Sequence, residues 1–171
     1  MKGYIQIYTG NGKGKSTAAF GLSLRAIGAG KKVFFAQFVK GKPYSEINAI
    51  AKFLPDITLQ QYGLGCFIYD NPTQDDINAA QNGLKEISTI IQSEKYDIIV
   101  LDEANIALYY KLFSVRDLID VLNKKPKATE IIITGRYAPD ELIKIADLVT
   151  EMKEIKHYYT KGIEAREGIE F

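Results

Sequence analysis

Cysteine, histidine and tryptophan are nearly missing from this 171-residue chain, which has one cysteine, one histidine and no tryptophan. A single cysteine, Cys66, excludes an internal disulfide and fits a reducing compartment. The lone histidine, His157, sits in a tail with Lys156, Tyr158 and Tyr159. It is an unsupported candidate for a general base, because a single histidine without a visible orienting partner is more often structural. No apolar run approaches the ~20 residues of a transmembrane helix. The amino terminus enters an apolar stretch at once, without a signal-peptide pattern. Neither sign of charge is in excess: the formal net charge is +1, so nothing demands nucleic acid or an anionic membrane as a partner. Repeats, low-complexity tracts and linkers are lacking too. With 46% apolar and 25% charged residues, the expectation is a cytoplasmic globular protein folded as one domain over residues 1–171.

What the chain does have is Tyr8-Thr9-Gly10-Asn11-Gly12-Lys13-Gly14-Lys15-Ser16-Thr17. An apolar run, Tyr4 to Tyr8, leads into it, and helix-prone Ala18-Ala19-Phe20-Gly21-Leu22 follows. Strand, glycine-rich loop and helix in that order make a nest of backbone N–H groups at the positive end of a helix dipole, which suits a polyphosphate. Lys15 supplies charge to the phosphates, and the Ser16 hydroxyl falls where a Mg²⁺ ligand belongs. The usual loop, G-x-x-x-x-G-K-[ST], has a glycine where this chain has Thr9, so a tighter loop is expected. Gly-Asn-Gly is also a good ordinary turn, but a turn alone does not ask for Lys-Ser-Thr at a helix start.

Taken in order, the periodicity predicts a buried helix from Lys15 to Ile27, a buried strand from Lys32 to Phe38, a short helix from Ser45 to Phe53 and a strand from Ile57 to Tyr62. Asn71-Pro72-Thr73-Gln74 reads as N-cap, first helical position and third residue of a start signal. The helix it opens carries Ile77, Ala80, Leu84, Ile87 and Ile91 on one stripe. A continuous apolar strand then ends in Asp102-Glu103, and a helix around Val115 to Lys124 follows, capped by Ser114. Strand Glu130 to Thr134, turn Gly135-Arg136, helix Pro139 to Ala146 and strand Leu148 to Met152 complete the alternation. This pattern predicts an α/β fold of the P-loop NTPase type (RecA-like), a mostly parallel sheet with helices on both faces. Ligands in such sheets bind beyond the carboxyl ends of the strands, where Thr9-Gly10, Asp102-Glu103 and Gly135-Arg136 all fall.

Ile98 to Glu103 has the form of a Walker B segment, with Asp102 or Glu103 holding Mg²⁺ directly or through water; the plain alternative is an acidic turn or helix cap. Arg136 after its strand could reach a phosphate or stand as a solvated turn residue. Arg25, near the end of the first helix, could approach a nucleotide or pair with the helix end. Gly65-Cys66-Phe67-Ile68-Tyr69 could set flat side chains against a flat ligand, or be a loop tucked onto the core.

Together these motifs resemble the P-loop type of corrinoid adenosyltransferase, the cob(I)yrinic acid a,c-diamide or cob(I)alamin adenosyltransferases. The resemblance runs over most of the chain, through Tyr8 to Gly21, Gln37-Phe38-Val39-Lys40-Gly41, Val100-Leu101-Asp102-Glu103, Thr134-Gly135-Arg136 and the tail from Lys156-His157 to Gly168-Ile169-Glu170-Phe171. It implies transfer of the 5′-deoxyadenosyl group of ATP to Co(I) of a corrinoid, leaving triphosphate, with ATP lying reversed relative to other P-loop proteins. It carries over Gly10, Asn11, Gly12, Lys13, Gly14, Lys15, Ser16 and Thr17 as phosphate-loop residues. Arg136 carries over to ATP and Glu103 to the metal, with Lys15 and Glu103 in catalysis. Phe67 and Tyr69 align with two aromatics, Phe-x-Trp in the family, that displace the lower axial ligand of cobalt; here tyrosine stands in place of tryptophan. Further implications are a low-potential electron donor such as flavodoxin and a homodimer. The chain starts at its first strand without the amino-terminal extension of a longer relative, so the corrin is expected to be more exposed or covered by another chain. The competing readings are a small-molecule kinase or ATPase, which should need a base or an arginine-bearing lid, and a non-catalytic nucleotide switch.

Overall fold

Apolar runs of four to six residues become the strands of one parallel sheet, and the helices between them close over its two faces. The computed structural model describes residues 2–41, 44–65, 68 and 71–171. Its elements run β1 (Ile5–Thr9), α1 (Lys15–Gly28), β2 (Val33–Phe38), α2 (Ser45–Phe53), β3 (Ile57–Tyr62), α3 (Gln74–Gln92), β4 (Ile98–Asp102), α4 (Ala104–Tyr109), α5 (Val115–Leu122), β5 (Glu130–Thr134), α6 (Asp140–Ile145) and β6 (Leu148–Glu151), with a 3₁₀ turn at Tyr158–Lys161. Among the described residues the strand order is β3-β2-β4-β5-β1-β6, and every pairing is parallel. The α/β architecture of the P-loop NTPase type is therefore as the alternation predicts.

Alternate residues of each central strand face opposite sides. Ile99 and Leu101 of β4 join Ile7, Phe34, Ile131 and Ile133 under α3, α4, α5 and α6, while Ile98 and Val100 join Phe35 and Ile132 under α1 and α2. Leu84, Ile87 and Ile91 on the predicted stripe of α3 are buried, each worth about 1.5–3 kcal/mol. The order sets β4, β5 and β1 side by side, with Tyr8 opposite Thr134 and Leu101 opposite Ile133. Hence the three motif-bearing strand ends are neighbours.

Three local expectations are corrected. Helix α1 buries one face only, through Lys15, Ala19, Ser23 and Ala26, and leaves Leu24 55% exposed. The small side chains let it lie close to the sheet, Phe20 stacks on Phe35 with ring centroids 4.0 Å apart, and Leu24 points away. Strand β6, in which only Leu148 and Val149 are apolar, is exposed along its whole length at the sheet edge rather than covered on both faces. Helix α3 is capped by Thr73, not Asn71: the Asp76 N–H donates to Thr73 Oγ1 at 3.2 Å, and the Thr73 N–H donates to Asp76 Oδ2 at 2.9 Å. That reciprocal box satisfies two end groups at once, which Asn71 followed by Pro72 cannot. Ser114 caps α5 as predicted, with Asp117 as its partner. Among the described residues no helix is long and apolar enough to cross a membrane.

Candidate active site

The loop between β1 and α1 is anchored to the chain leaving β6. Gly12 N–H donates to the Met152 carbonyl at 2.7 Å, and a Cβ at Gly10 or Gly12 would meet that oxygen at 2.5 or 2.7 Å. Gly10 and Gly14 both have positive φ, 96° and 112°, a conformation that favours glycine. Thr9 stays within β1: its carbonyl accepts from Met152 N–H at 2.8 Å and its hydroxyl from Ala138 N–H at 3.3 Å. The residue in place of the usual first glycine thus braces two neighbouring segments, and the loop turns one residue later.

Gly14 precedes α1 without a side-chain cap, and no acidic residue lies in the first turn, so the first-turn N–H groups and the dipole face the cleft without a built-in carboxylate. Lys15, 7% exposed, folds back to donate from Nζ to the Gly12 carbonyl at 2.7 Å. Burial, with Arg136 adding to it, lowers its pKa against the opposing pull of Glu103 and Asp102.

A cleft of about 610 Å³ opens over this loop. Gly12 to Thr17, Lys40, Glu103, Arg136 and the tail residues Gly168 to Phe171 are in its wall. The structure therefore brings Gly12, Lys13, Gly14, Lys15, Ser16, Thr17, Glu103 and Arg136 together. Gly10 and Asn11 form the approach to the loop rather than the wall. Arg25 is not brought to the cleft: it lies exposed in the last turn of α1, away from the end that carries Lys15. Cys66, Phe67 and Tyr69 lie outside the described residues.

The two acidic residues after β4 have different surroundings. Asp102 is fully buried, and both its oxygens are engaged: Thr134 Oγ1 donates to Oδ1 at 2.7 Å, while Gln37 Nε2 and Lys40 Nζ donate to Oδ2 at 3.3 and 3.0 Å. Gln61 Nε2 donates in turn to Gln37 Oε1 at 3.1 Å, so a polar ribbon crosses the ends of β3, β2, β4 and β5. Glu103 has φ 58° and opens α4, with its N–H donating to Thr134 Oγ1 at 3.0 Å. Its carboxylate faces the cleft; burial raises its pKa, Asp102 adds to that, and Lys40, Lys15 and Arg136 oppose it. Arg136 is delivered by Gly135, whose carbonyl accepts from Asn105 Nδ2 at 3.0 Å.

The tail closes the far rim. Glu170 accepts from Lys13 Nζ and the Tyr158 hydroxyl, and from the Arg166 N–H at 2.8 Å. The Phe171 carbonyl accepts from Ser45 Oγ at 3.1 Å on the opposite side. His157 accepts at Nδ1 from the Tyr159 N–H at 3.1 Å and caps the 3₁₀ turn, the structural role the sequence favoured.

Sequence reasoning gave Gln37, Lys40, Thr134 and Glu170 no role of their own: Lys40 and Glu170 line the cleft, and Gln37 and Thr134 lie buried behind it on Asp102. Lys40 follows a buried strand, the same signal that singled out Asp102 and Arg136. Glu170 is 157 residues from Lys13, and no local pattern marks that pairing.

A glycine-rich loop and a walled carboxylate at the carboxyl edge of a parallel sheet are the arrangement of an α/β fold of the P-loop NTPase type. The family model of ATP:corrinoid adenosyltransferase BtuR/CobO/CobP matches residues 1–171, and the chain belongs to that family. It is 41% identical over 176 residues to a corrinoid adenosyltransferase of Sinorhizobium sp., covering 99% of this chain and 81% of the relative. It is 33% identical over 172 residues to that of Escherichia coli K12, covering 99% and 86%. It is 34% identical over 171 residues to that of Pseudomonas aeruginosa, covering 99% and 84%.

Proposed function

We infer that the chain is an ATP:corrinoid adenosyltransferase that moves the 5′-deoxyadenosyl group of ATP to Co(I) of a corrinoid. Membership of the family over the full length carries this reading. In the reaction the Co(I) electron pair forms a cobalt–carbon bond at C5′. The C5′–oxygen bond breaks, and triphosphate leaves with that electron pair. Such a displacement needs no general base.

The residues then work by position and charge. The first-turn N–H groups of α1, Lys15 and Arg136 neutralise the triphosphate as its charge grows. The sheet edge holds these groups fixed, and orientation of the reacting atoms can contribute about 7–11 kcal/mol. For Mg²⁺, the Ser16 hydroxyl and the Glu103 carboxylate are oxygen donors in the wall of one cleft, which fits an ion that takes few protein ligands and completes its shell with phosphate and water. Mg²⁺ there would screen the leaving phosphates. Asp102, whose oxygens are already engaged, is better read as an anchor than as a ligand.

Phe67 and Tyr69 belong to the same proposal as corrinoid contacts, as do a flavodoxin-like electron donor, a homodimer, a single domain and a cytoplasmic location; these rest on the sequence and the family resemblance. The test is to separate the phosphorus products after incubation with reduced corrinoid and MgATP. Triphosphate from the wild type, and none from Lys15→Ala, is expected; ADP would support a kinase or ATPase instead.

A further inference from the structure

The segment Gln37-Phe38-Val39-Lys40-Gly41 has no part in the chemistry so far, yet it ends β2 beside β4 and delivers a lysine to the cleft. We propose that Lys40 is a phosphate-contacting cation of this site, seated on Asp102 and aimed at the triphosphate from the wall opposite Arg136. This rests on the adenosyltransferase reading and adds a residue to it.

Three observations carry the proposal. First, Lys40 is not a loose surface lysine: its side chain is 17% exposed, and Nζ lies 3.0 Å from the fully buried Asp102 Oδ2. Second, its loop is held backbone to backbone. A Cβ at Gly41 would lie 2.5 Å from the Gly63 carbonyl, and one at Gly63 would lie 2.7 Å from Lys40 N. Third, an ammonium has three donors, of which Asp102 accepts one, while the residue lines the same cleft as Gly12 to Thr17. Burial lowers its pKa, but Asp102 and Glu103 outweigh that and keep it charged.

The electrostatics of the cleft point the same way. Among the described residues the cations in the wall are Lys13, Lys15, Lys40 and Arg136, of which Lys13 is paired with Glu170 on the rim, and Glu103 and Glu46 are also in the wall. Asp102 then has a definite task. Its oxygens are shared among Thr134, Gln37 and Lys40, which fixes the ammonium at the mouth of β2. Charge on the leaving group is largest after the C5′–oxygen bond breaks, so Lys40 should act more on turnover and on product binding than on ATP binding.

The obvious variant is confounded, because Lys40→Met leaves a buried carboxylate without its cation. The double variant Lys40→Met, Asp102→Asn removes both charges and keeps a side chain that can still accept from Thr134. Binding of inorganic tripolyphosphate would be titrated calorimetrically for wild type, Lys40→Met, the double variant and Lys40→Arg, with urea unfolding alongside. The expected result is tripolyphosphate binding about 10- to 100-fold weaker in both methionine variants, although stability recovers in the double one. Lys40→Arg should restore most of the affinity, and kcat should fall further than KM for ATP rises. Recovery of tripolyphosphate affinity together with stability in the double variant would overturn the proposal and leave Lys40 a structural counter-ion. Failure of the wild type to bind either ATP or tripolyphosphate would instead sink the parent reading, so the two failures are distinct.

Discussion

Lys40 and Lys13 each hold a carboxylate beside the same cleft, one inside the sheet edge and the other on its rim. The Lys40–Asp102 pair sits on a carboxylate with no solvent exposure, to which Thr134 and Gln37 also donate. The Lys13–Glu170 pair joins a lysine whose side chain is 42% exposed to a carboxylate on the chain terminus. Burial makes the first pair expensive to break, because a lone partner stays inside a low-dielectric wall. The second is cheaper to break, because water and salt can replace Glu170 at the exposed Lys13, while Tyr158 and Arg166 still donate to the 15% exposed Glu170 carboxylate. The inner pair fixes where a cation stands, while the outer one ties the tail to the loop at a solvent-facing lysine.

The sharpest way to break this contrast is Asp102→Ala. It orphans Lys40, Thr134 and Gln37 together, and a loss of about 3 kcal/mol in urea unfolding is expected. Gly135→Ala should cost about 2 kcal/mol, because φ is 125° there and the new Cβ would lie 2.9 Å from Asn105 Cβ. It should also displace Arg136 and weaken ATP binding in the same titration. Thr73→Ala, far from either pair, serves as a calibration, with about 1 kcal/mol expected from losing the cap of α3.

Glu170→Gln marks the small end of the scale: the urea midpoint should not move measurably, while ATP should bind as well as to wild type or better. The lack of native tryptophan makes Phe171→Trp a single-site reporter of the tail. Lys13 and Tyr158 hold the Glu170 carboxyl well below the usual carboxylate range. A depressed pKa means that the clamp contributes fully above the ordinary carboxyl value of about 4.3 and is lost as pH falls through the folded-state value. Emission from Trp at position 171 should therefore stay flat from neutral pH down to the ordinary carboxyl range and shift only below it. A shift near pH 6 would mean that another group holds the tail.

Much of this contrast was invisible in the sequence for a physical reason. The loop, Asp102-Glu103 and Arg136 were legible because each follows an apolar strand, and parallel sheets bring such ends to one edge. That reasoning reaches Lys40 as well, but not its partner 62 residues away, since strand order and not local spacing makes them neighbours. The cap of α3 slipped by two residues because two start signals overlap there, and the reciprocal bond to Asp76 decides between them. Edge placement of β6 and the one-sided burial of α1 depend on which elements flank them, which apolar content alone does not encode. The tail clamp depends on a contact between the two ends of the chain.

The most direct test of the account is the corrinoid spectrum. The protein would be mixed anaerobically with chemically reduced cob(I)alamin and MgATP, and the absorption followed in the dark and then in light. The account predicts loss of the Co(I) spectrum and growth of an alkylcobalt spectrum that light abolishes. A Co(I) spectrum unchanged while ATP is consumed to ADP would contradict it.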